Sequence, residues 1–246
     1  LVDAADPRTA LRTWDIGDGS EMPAVDLPAR ELAQLRKKGH RSFNLSRDES
    51  ERLRGAASDA EALALYREVL AERVEAYRTG GLSGIAPYQR GKRGAVDPAA
   101  ELSEATDLVL AATPSADTFG ALSAVLESSA GGVPAGDDAH LLQLVEKTVQ
   151  DRVHHGLSHL MFVEASDALI IVERQFYSSH SYDALQLIVG LAPFEGGTLV
   201  AVFGHTATDR VAGVGSGLAK SIGRKRSVQS YDGLAALIRD AILELR

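Results

Sequence analysis

The sequence contains no cysteine, and this absence excludes several kinds of chemistry. Without thiols the chain has no disulfides, thiolate metal sites, iron–sulfur clusters or cysteine nucleophiles. It also lacks any run of about eighteen apolar residues, so we predict no transmembrane helix. The net charge is −8, whereas a general nucleic-acid-binding surface is basic, so we expect no nucleic-acid partner.

Aromatic residues are sparse at 5%, so the core has to be built mainly from alanine, leucine and valine. A hydrophobic content of 45% with 24% charged residues is typical of a soluble globular protein. The chain begins at Leu1 rather than Met, so we expect that an upstream segment such as a signal peptide was removed. A cysteine-free chain suits an exported bacterial protein, although cytosolic proteins also lack cysteine.

The 246 residues divide into an arm and a body. Residues 1–28 are punctuated by proline and glycine and are predicted to form an extended arm, which Trp14 pins onto the body. Residues 29–246 are predicted to form a single α+β domain, mainly helical over 29–157 and with a sheet over 158–246. An amphipathic helix, Ser230–Arg246, is predicted to close this domain.

Serine residues begin two of the predicted helices. Ser46 is followed by Glu49 and Ser58 by Glu61, the spacing in which a serine and a glutamate cap each other's backbone N–H groups. The helix after Ser58 ends at two consecutive glycines, Gly80 and Gly81. A further long helix is predicted over residues 138–157, where leucine and valine recur at helical spacing.

From Leu160 onward the hydrophobic pattern changes to that of strands. Tight turns separate these strands, and strands so close in sequence have to be antiparallel. The sequence therefore predicts an antiparallel meander of about four strands, packed against the helical half. The predicted strands are Leu160–Ala165, Ala168–Ser178, Ala184–Ala192 and Thr198–His205.

A cluster of three histidines, His154, His155 and His159, lies at the end of the predicted helix 138–157. On a continuous helix, Asp151, His155 and His159 share one face, and imidazoles four residues apart can converge on one metal ion. Gly156 and Ser158 weaken the helix at this point, and the glutamate of the HExxH zinc motif is missing. The alternative is that these histidines interact with the carbonyl end of the helix.

The run from Phe176 to Asp183 carries more hydroxyl groups than a buried strand needs. We predict that Tyr177, His180 and Tyr182 form the polar wall of a ligand pocket between sheet and helices, with His180 as the candidate general base. If the strand continued to Asp183, alternation would place His180 and Tyr182 on one face and Tyr177 on the other. No GxSxG motif supports a nucleophilic serine here.

A glycine-rich, basic segment follows the predicted sheet. The run Gly213–Ser221 fails the spacing of both the P-loop and the dinucleotide-binding motif. Backbone N–H groups ahead of a short helix, with Lys220 and Arg224 nearby, nevertheless suit an acidic group of a ligand. The alternative is a plain flexible linker.

Two blocks of the sequence resemble a family of exported proteobacterial proteins that has no assigned activity. The blocks read LYREVLAERVEAYRTGGLSGIAPY and VERQFYSSHSYDALQLIVG, the latter continuing into ATDRVAGVGSGLAKSIGRK. The resemblance covers about a third of the chain. It implies a periplasmic or otherwise extracytoplasmic location and a single fold unit, and it carries over no catalytic residues.

These observations leave three functional hypotheses. The first is an exported binding or accessory protein with a pocket for a small, partly apolar ligand that can carry an acidic group. The second is a metal-dependent or histidine-assisted enzyme, a hydrolase above all, which would use His155, His159 or His180. The third is a structural partner of another envelope protein. The sequence identifies no cofactor and does not define the oligomeric state.

Overall fold

A computed structural model describes residues 9–91, 94–112, 117–134, 136–149, 152–165 and 167–208. Five α-helices precede most of a large antiparallel sheet, which confirms the predicted α+β class. The helices are α1 (Ala29–Lys38), α2 (Arg47–Gly55), α3 (Asp59–Gly80), α4 (Pro98–Ala112) and α5 (Asp117–Ser128). No helix among these residues is long and apolar enough to cross a membrane.

Among the described residues, the main sheet has six strands in the order β1-β4-β5-β6-β7-β8, and every neighbouring pair is antiparallel. Strands β2 (Tyr88–Gln89) and β3 (Ala95–Val96) form a separate short hairpin. The strands of the main sheet are β1 (Thr9–Asp15), β4 (His140–Val149), β5 (Arg152–Ala165), β6 (Ala168–Ser178), β7 (Ala184–Phe194) and β8 (Gly197–Ala207).

The two serine caps form as predicted. Ser46 accepts a hydrogen bond from the Glu49 backbone N–H, and Glu49 accepts one from the Ser46 N–H, so the capping box is complete. Ser58 likewise accepts from the Glu61 N–H, while the Glu61 carboxylate accepts from the N–H of Ala57. Local sequence therefore determines where α2 and α3 begin.

Within the described part of the chain, the helices that contact the sheet pack on the same face, which we call the helix face. One hydrophobic cluster joins α1, α2 and α3 to the start of β5 and the end of β6. A second cluster joins α4 and α5 to the middle of β5, β6 and β7. Alternation along the strands then assigns the neighbouring residues to the opposite face, which we call the outer face.

The predicted helix over residues 138–157 is wrong, because this segment forms β4 and the first half of β5. Its apolar residues are compatible with the helical period and with the two-residue period of a strand. In the strand, Leu142 and Leu144 point to the helix face, while Leu141 and Val145 lie on the outer face. A strand with apolar residues on both faces has no clear alternation, so it resembles an amphipathic helix. Val149 and Val153 at the turn favour the strand.

Other boundaries also need correction. The sheet has six strands rather than four, because β1 and β4 join the predicted meander. The predicted N-terminal arm contributes β1, which pairs with β4, and Trp14 packs against the first hydrophobic cluster. Residues 29–157, predicted to be mainly helical, contain α1–α5 and also β2, β3, β4 and the start of β5. The predicted closing helix, Ser230–Arg246, lies outside the described residues.

Candidate functional site

The outer face of the sheet is divided into an apolar half and a polar half. Strand register places apolar residues in neighbouring rows near the β5–β6 and β7–β8 hairpins. Polar residues occupy the rows nearer the β6–β7 turn. Together with Tyr182, which contacts them, they form what we call the polar half, consisting of Lys147, His154, Ser158, Glu173, Gln175 and Tyr182. We call the apolar residues near the two hairpins the apolar half, which consists of Leu141, Leu160, Phe162, Leu169, Ile171, Leu187, Val189, Leu191, Val200 and Val202.

The apolar half is only partly buried in the structure. Phe162 is 37% exposed, and the other residues of this half have intermediate exposure. One row runs straight across four strands through Phe162, Ile171, Val189 and Val202. With strands about 4.8 Å apart, such a row is about 14 Å long. The outer face therefore carries a broad apolar surface that the helices α1–α5 do not cover.

The polar half is centred on the imidazole of His154. Lys147 of β4 lies directly opposite His154 in the strand register. The Tyr182 hydroxyl lies 3.4 Å from His154 Nε2 and donates a short hydrogen bond to the Gln175 amide oxygen. Next to them, the Ser158 hydroxyl donates to the Glu173 carboxylate over 2.8 Å. A cation, a neutral ring, a phenol and an amide thus meet at one end of the outer face.

Gly156 makes room for this arrangement. A Cβ at Gly156 would lie 2.9 Å from the Gln175 Cδ and still closer to its Nε2. The absence of a side chain therefore allows the Gln175 amide to lie against β5 and to reach Tyr182. A β-bulge between Leu157 and Ser158 shifts the register at the same point. Glycines and bulges inside strands commonly mark such close approaches.

Burial dominates the electrostatics of the polar half. It lowers the pKa of His154 well below the usual value for histidine, and the nearby His180 and Lys147 lower it further. His154 is therefore neutral at pH 7. Burial also raises the pKa of Glu173, although its hydrogen bond from Ser158 opposes this shift. Burial likewise raises the pKa of Tyr182, so its hydroxyl stays protonated and can donate.

His180 and Tyr182, two of the predicted wall residues, both contact His154. The His180 ring meets the His154 ring edge-to-face at 5.2 Å between centroids, and the Tyr182 ring lies 5.3 Å away. The His180 Nε2 lies 2.9 Å from the Val153 carbonyl, which can only accept, so Nε2 carries the proton. The Nδ1 of His180 then accepts from the Ser181 hydroxyl at 2.7 Å.

Tyr177 does not belong to this group, because it lies on the helix face. Its ring packs against Tyr88, with centroids 6.2 Å apart, and against the Arg73 guanidinium, 4.6 Å from its centroid. Strand β6 ends at Ser178, and the residues that follow turn away from the strand direction. The predicted wall is thus split between the two faces of the sheet. An open depression of about 370 Å³ on the helical side involves different residues, among them Met22, Arg67 and Ala71.

His155 and His159 do not converge on a common ion as the helix hypothesis required. They lie four residues apart on a strand, which separates their Cα atoms by about 13 Å. Each faces its own tyrosine of α3: Tyr66 for His155 and Tyr77 for His159. Within the described ranges, no group of three or more histidine, aspartate or glutamate side chains is arranged to hold a metal ion. Asp151, Lys220 and Arg224 lie outside those ranges.

Sequence reasoning missed several members of the polar half. Lys147 and Gln175 were assigned to no site, and His154 was considered only as part of a helical cluster. The available signal was Gly156 inside a run of β-branched and aromatic residues, which marks a close approach rather than a helix end. The pairing of Lys147 with His154 depends on the strand register and had no signal in the sequence.

Comparison with known proteins adds no functional information. No protein-family model matches the chain, and searches of curated proteins and of solved structures give no significant match.

Proposed function

We propose that the protein binds a small amphipathic molecule on the outer face of its sheet, as an exported binding or accessory protein. The observation that carries this proposal is the division of that face into an apolar half and a polar half centred on His154. A ligand with an apolar chain and a polar head matches both halves at once. Wide exposed apolar surfaces commonly mark interaction sites, ligand-binding grooves among them.

The apolar half suits an aliphatic chain. The row from Phe162 to Val202 is about 14 Å long, and parallel rows of leucine, isoleucine and valine flank it. Removing this surface and a bound chain from water is favourable by roughly 25 cal/mol per Å². The binding energy would thus come from burial, with few directional contacts along the chain.

The polar half suits a head group that accepts hydrogen bonds. Lys147 supplies a positive charge and N–H donors, whereas the Tyr182 hydroxyl already donates its one proton to Gln175. An acidic head beside His154 would favour the charged imidazole and raise its lowered pKa, adding a second cation. We therefore propose a carboxylate or similar anionic head group, with its chain directed towards Ile171 and Val189.

A fluorescence titration with a dansyl-labelled fatty acid tests this proposal. Wild-type protein is expected to enhance and blue-shift the dansyl emission in a saturable manner. Ile171→Glu places a charge in the middle of the apolar row and is expected to abolish saturable binding. Lys147→Gln should weaken binding of the fatty acid more than that of its uncharged methyl ester.

Leu108→Gln is the matched control, because Leu108 is an exposed leucine of α4, away from the outer face. It should bind the probe as the wild type does. Equal binding by wild type and Ile171→Glu would contradict the proposal, provided both variants show the wild-type circular dichroism spectrum. Native mass spectrometry of protein purified from its own host would then identify any natural ligand.

A histidine-assisted hydrolase is the second candidate, and the Ser181–His180 pair favours it. The Ser181 hydroxyl is exposed and lies 2.7 Å from His180 Nδ1, so it donates to a potential general base. Ser181 also has a positive φ of 83°, a strained conformation for a residue other than glycine. A fluorophosphonate probe should label Ser181 if this pair is nucleophilic. Labelling that persists in Ser181→Ala would count against it.

A further inference from the structure

Arg174 is a fully buried arginine on the helix face, at the seam between the two hydrophobic clusters. Its Nη1 donates to the Ser129 hydroxyl over 3.0 Å, and its Nε donates to the Gln186 amide oxygen over 3.4 Å. Its Nη2 is buried and has no hydrogen-bond partner. The guanidinium thus has an unused donor inside the protein.

The partners of Arg174 carry no formal negative charge. Ser129 and Gln186 are neutral, and no carboxylate among the described residues forms an ion pair with this guanidinium. Ser129 directly follows α5, so the carbonyl end of that helix supplies only a partial negative charge. The opposite strand neighbour, His159, is buried, and burial with the nearby positive charges lowers its pKa to about 3.

A second buried arginine in the same molecule shows what compensation looks like. Arg73 donates to the Glu49 carboxylate over 2.7 Å and lies between the rings of Tyr88 and Tyr177. Arginine cannot shed its proton in a protein, so a buried guanidinium keeps its charge. Burying such a charge without a counter-charge is strongly unfavourable. Arg174 therefore lacks a counter-charge such as the one that Glu49 provides for Arg73.

We infer that Arg174 anchors a binding site for a small monovalent anion, of the size of chloride, at the seam between α3, α5 and the sheet. The anion would accept from the free Nη2 and supply the negative charge that the surrounding side chains lack. The neighbouring side chains are themselves buried, so an anion at this location has to be small. The site lies on the opposite face from the proposed ligand surface, so the two proposals fail independently.

A chain of polar contacts leads from this location to the surface. The Tyr77 hydroxyl lies 3.0 Å from His159 Nδ1, and His159 Nε2 lies 2.9 Å from His140 Nδ1. The His140 Nε2 in turn lies 3.9 Å from the carboxylate of Asp137, which is half exposed. The positive charge of Arg174 and a side-chain hydrogen-bond interaction with it lower the pKa of the Tyr77 hydroxyl, although burial raises that pKa more.

This chain can supply a second donor to the anion. If His159 Nδ1 carries the proton, it donates to the Tyr77 oxygen, and the Tyr77 O–H becomes free to donate to an anion bound beside Arg174. If Nδ1 is unprotonated, Tyr77 donates to it instead. Anion binding would thus favour one tautomer of His159, with His140 adjusting through its own ring nitrogen.

Thermal unfolding of the full chain tests the site. The melting temperature is measured in sodium chloride and in sodium gluconate at the same ionic strength, since gluconate is too large for the site. We expect a higher melting temperature in chloride for the wild type and no difference for Arg174→Gln. Arg78→Gln, which removes an exposed arginine paired with Glu75, should keep the chloride effect. An equal chloride effect in Arg174→Gln would overturn the inference.

A second measurement does not depend on the folding of a variant. Crystals of the wild-type protein grown in bromide should show an anomalous peak within hydrogen-bond distance of Arg174 Nη2. A water molecule at that position, or no density, in fully exchanged crystals would equally overturn the inference. Nitrogen NMR of wild-type His159 should also show a change of tautomer between gluconate and chloride, whereas His154 on the other face should not respond.

Discussion

Tyr77 and His159 connect α3 to the centre of the sheet through a buried hydrogen bond of 3.0 Å between the Tyr77 hydroxyl and His159 Nδ1. The Tyr77 ring is also stacked on Phe176, with centroids 4.0 Å apart. Both partners are fully buried. The pair therefore combines apolar packing with a polar contact that water cannot replace, and it fixes the position of α3 over β5 and β6.

Tyr77→Phe should destabilise the protein. The substitution keeps the ring and its stack on Phe176 but leaves His159 Nδ1 without its partner inside the protein. An unsatisfied buried polar group costs about 1–3 kcal/mol. Urea denaturation should show this loss in the free energy of unfolding. Tyr66→Phe is the matched comparison, because the Tyr66 hydroxyl lies 3.4 Å from His155, and we expect a smaller loss there. Equal losses would contradict the ranking.

Stability should fall as the pH decreases from about 6.5 towards about 3. Burial lowers the pKa of folded His159 to about 3, while the unfolded chain has the ordinary value of 6.5. Between these values the unfolded state binds a proton that the folded state does not, so protonation favours unfolding. Each such proton contributes a slope of about 1.4 kcal/mol per pH unit. Above the ordinary value the contribution is constant.

The pH effect can be assigned to His159 by mutation. His159→Asn should reduce the slope of the unfolding free energy against pH by about 1.4 kcal/mol per pH unit, the contribution of one proton. His154 also has a strongly lowered pKa, so a residual slope should remain in this variant. Urea denaturation at several pH values below neutrality measures both slopes. An unchanged slope in His159→Asn would show that His159 does not titrate as proposed.

Gly156→Ala should disturb the polar half of the outer face. The new Cβ would meet the Gln175 amide, which is itself held by Tyr182. Overpacking of this kind costs about 1–3 kcal/mol. Gly190→Ala in β7 is the control, because a Cβ there has only the Ala201 Cβ nearby, at 3.9 Å. In thermal unfolding, Gly156→Ala should have a clearly lower melting temperature than Gly190→Ala. The reverse order would contradict the close approach of the Gln175 amide to Gly156.

Breaking the Arg73–Glu49 pair should be costly. Arg73→Met leaves the Glu49 carboxylate buried without its cation, and loss of one partner of a buried pair costs about 3–5 kcal/mol. Glu49→Gln should also destabilise, both through Arg73 and through the weakened cap of α2. The double variant should be more stable than the sum of the two losses predicts. Additive losses in the unfolding free energy would show that the pair is not coupled.

The helices could be predicted from the sequence because their determinants are local. The two serine–glutamate caps act within a few residues of where α2 and α3 begin. Gly81 acts directly at the end of α3. The hairpins of the meander could also be predicted from the sequence, since short turns join neighbouring strands. These parts of the chain needed no information about distant residues.

The sequence by itself therefore determined the α+β class, the helix starts and the predicted meander strands, which lie within β5 to β8. Only the tertiary structure decided that residues 140–149 form a strand, since that strand has apolar partners on both faces. It also decided the grouping of Lys147, His154 and Tyr182, and the unpaired donor of Arg174. Strand register and helix docking bring these residues together from distant positions, and the local pattern of a sequence does not encode such distances.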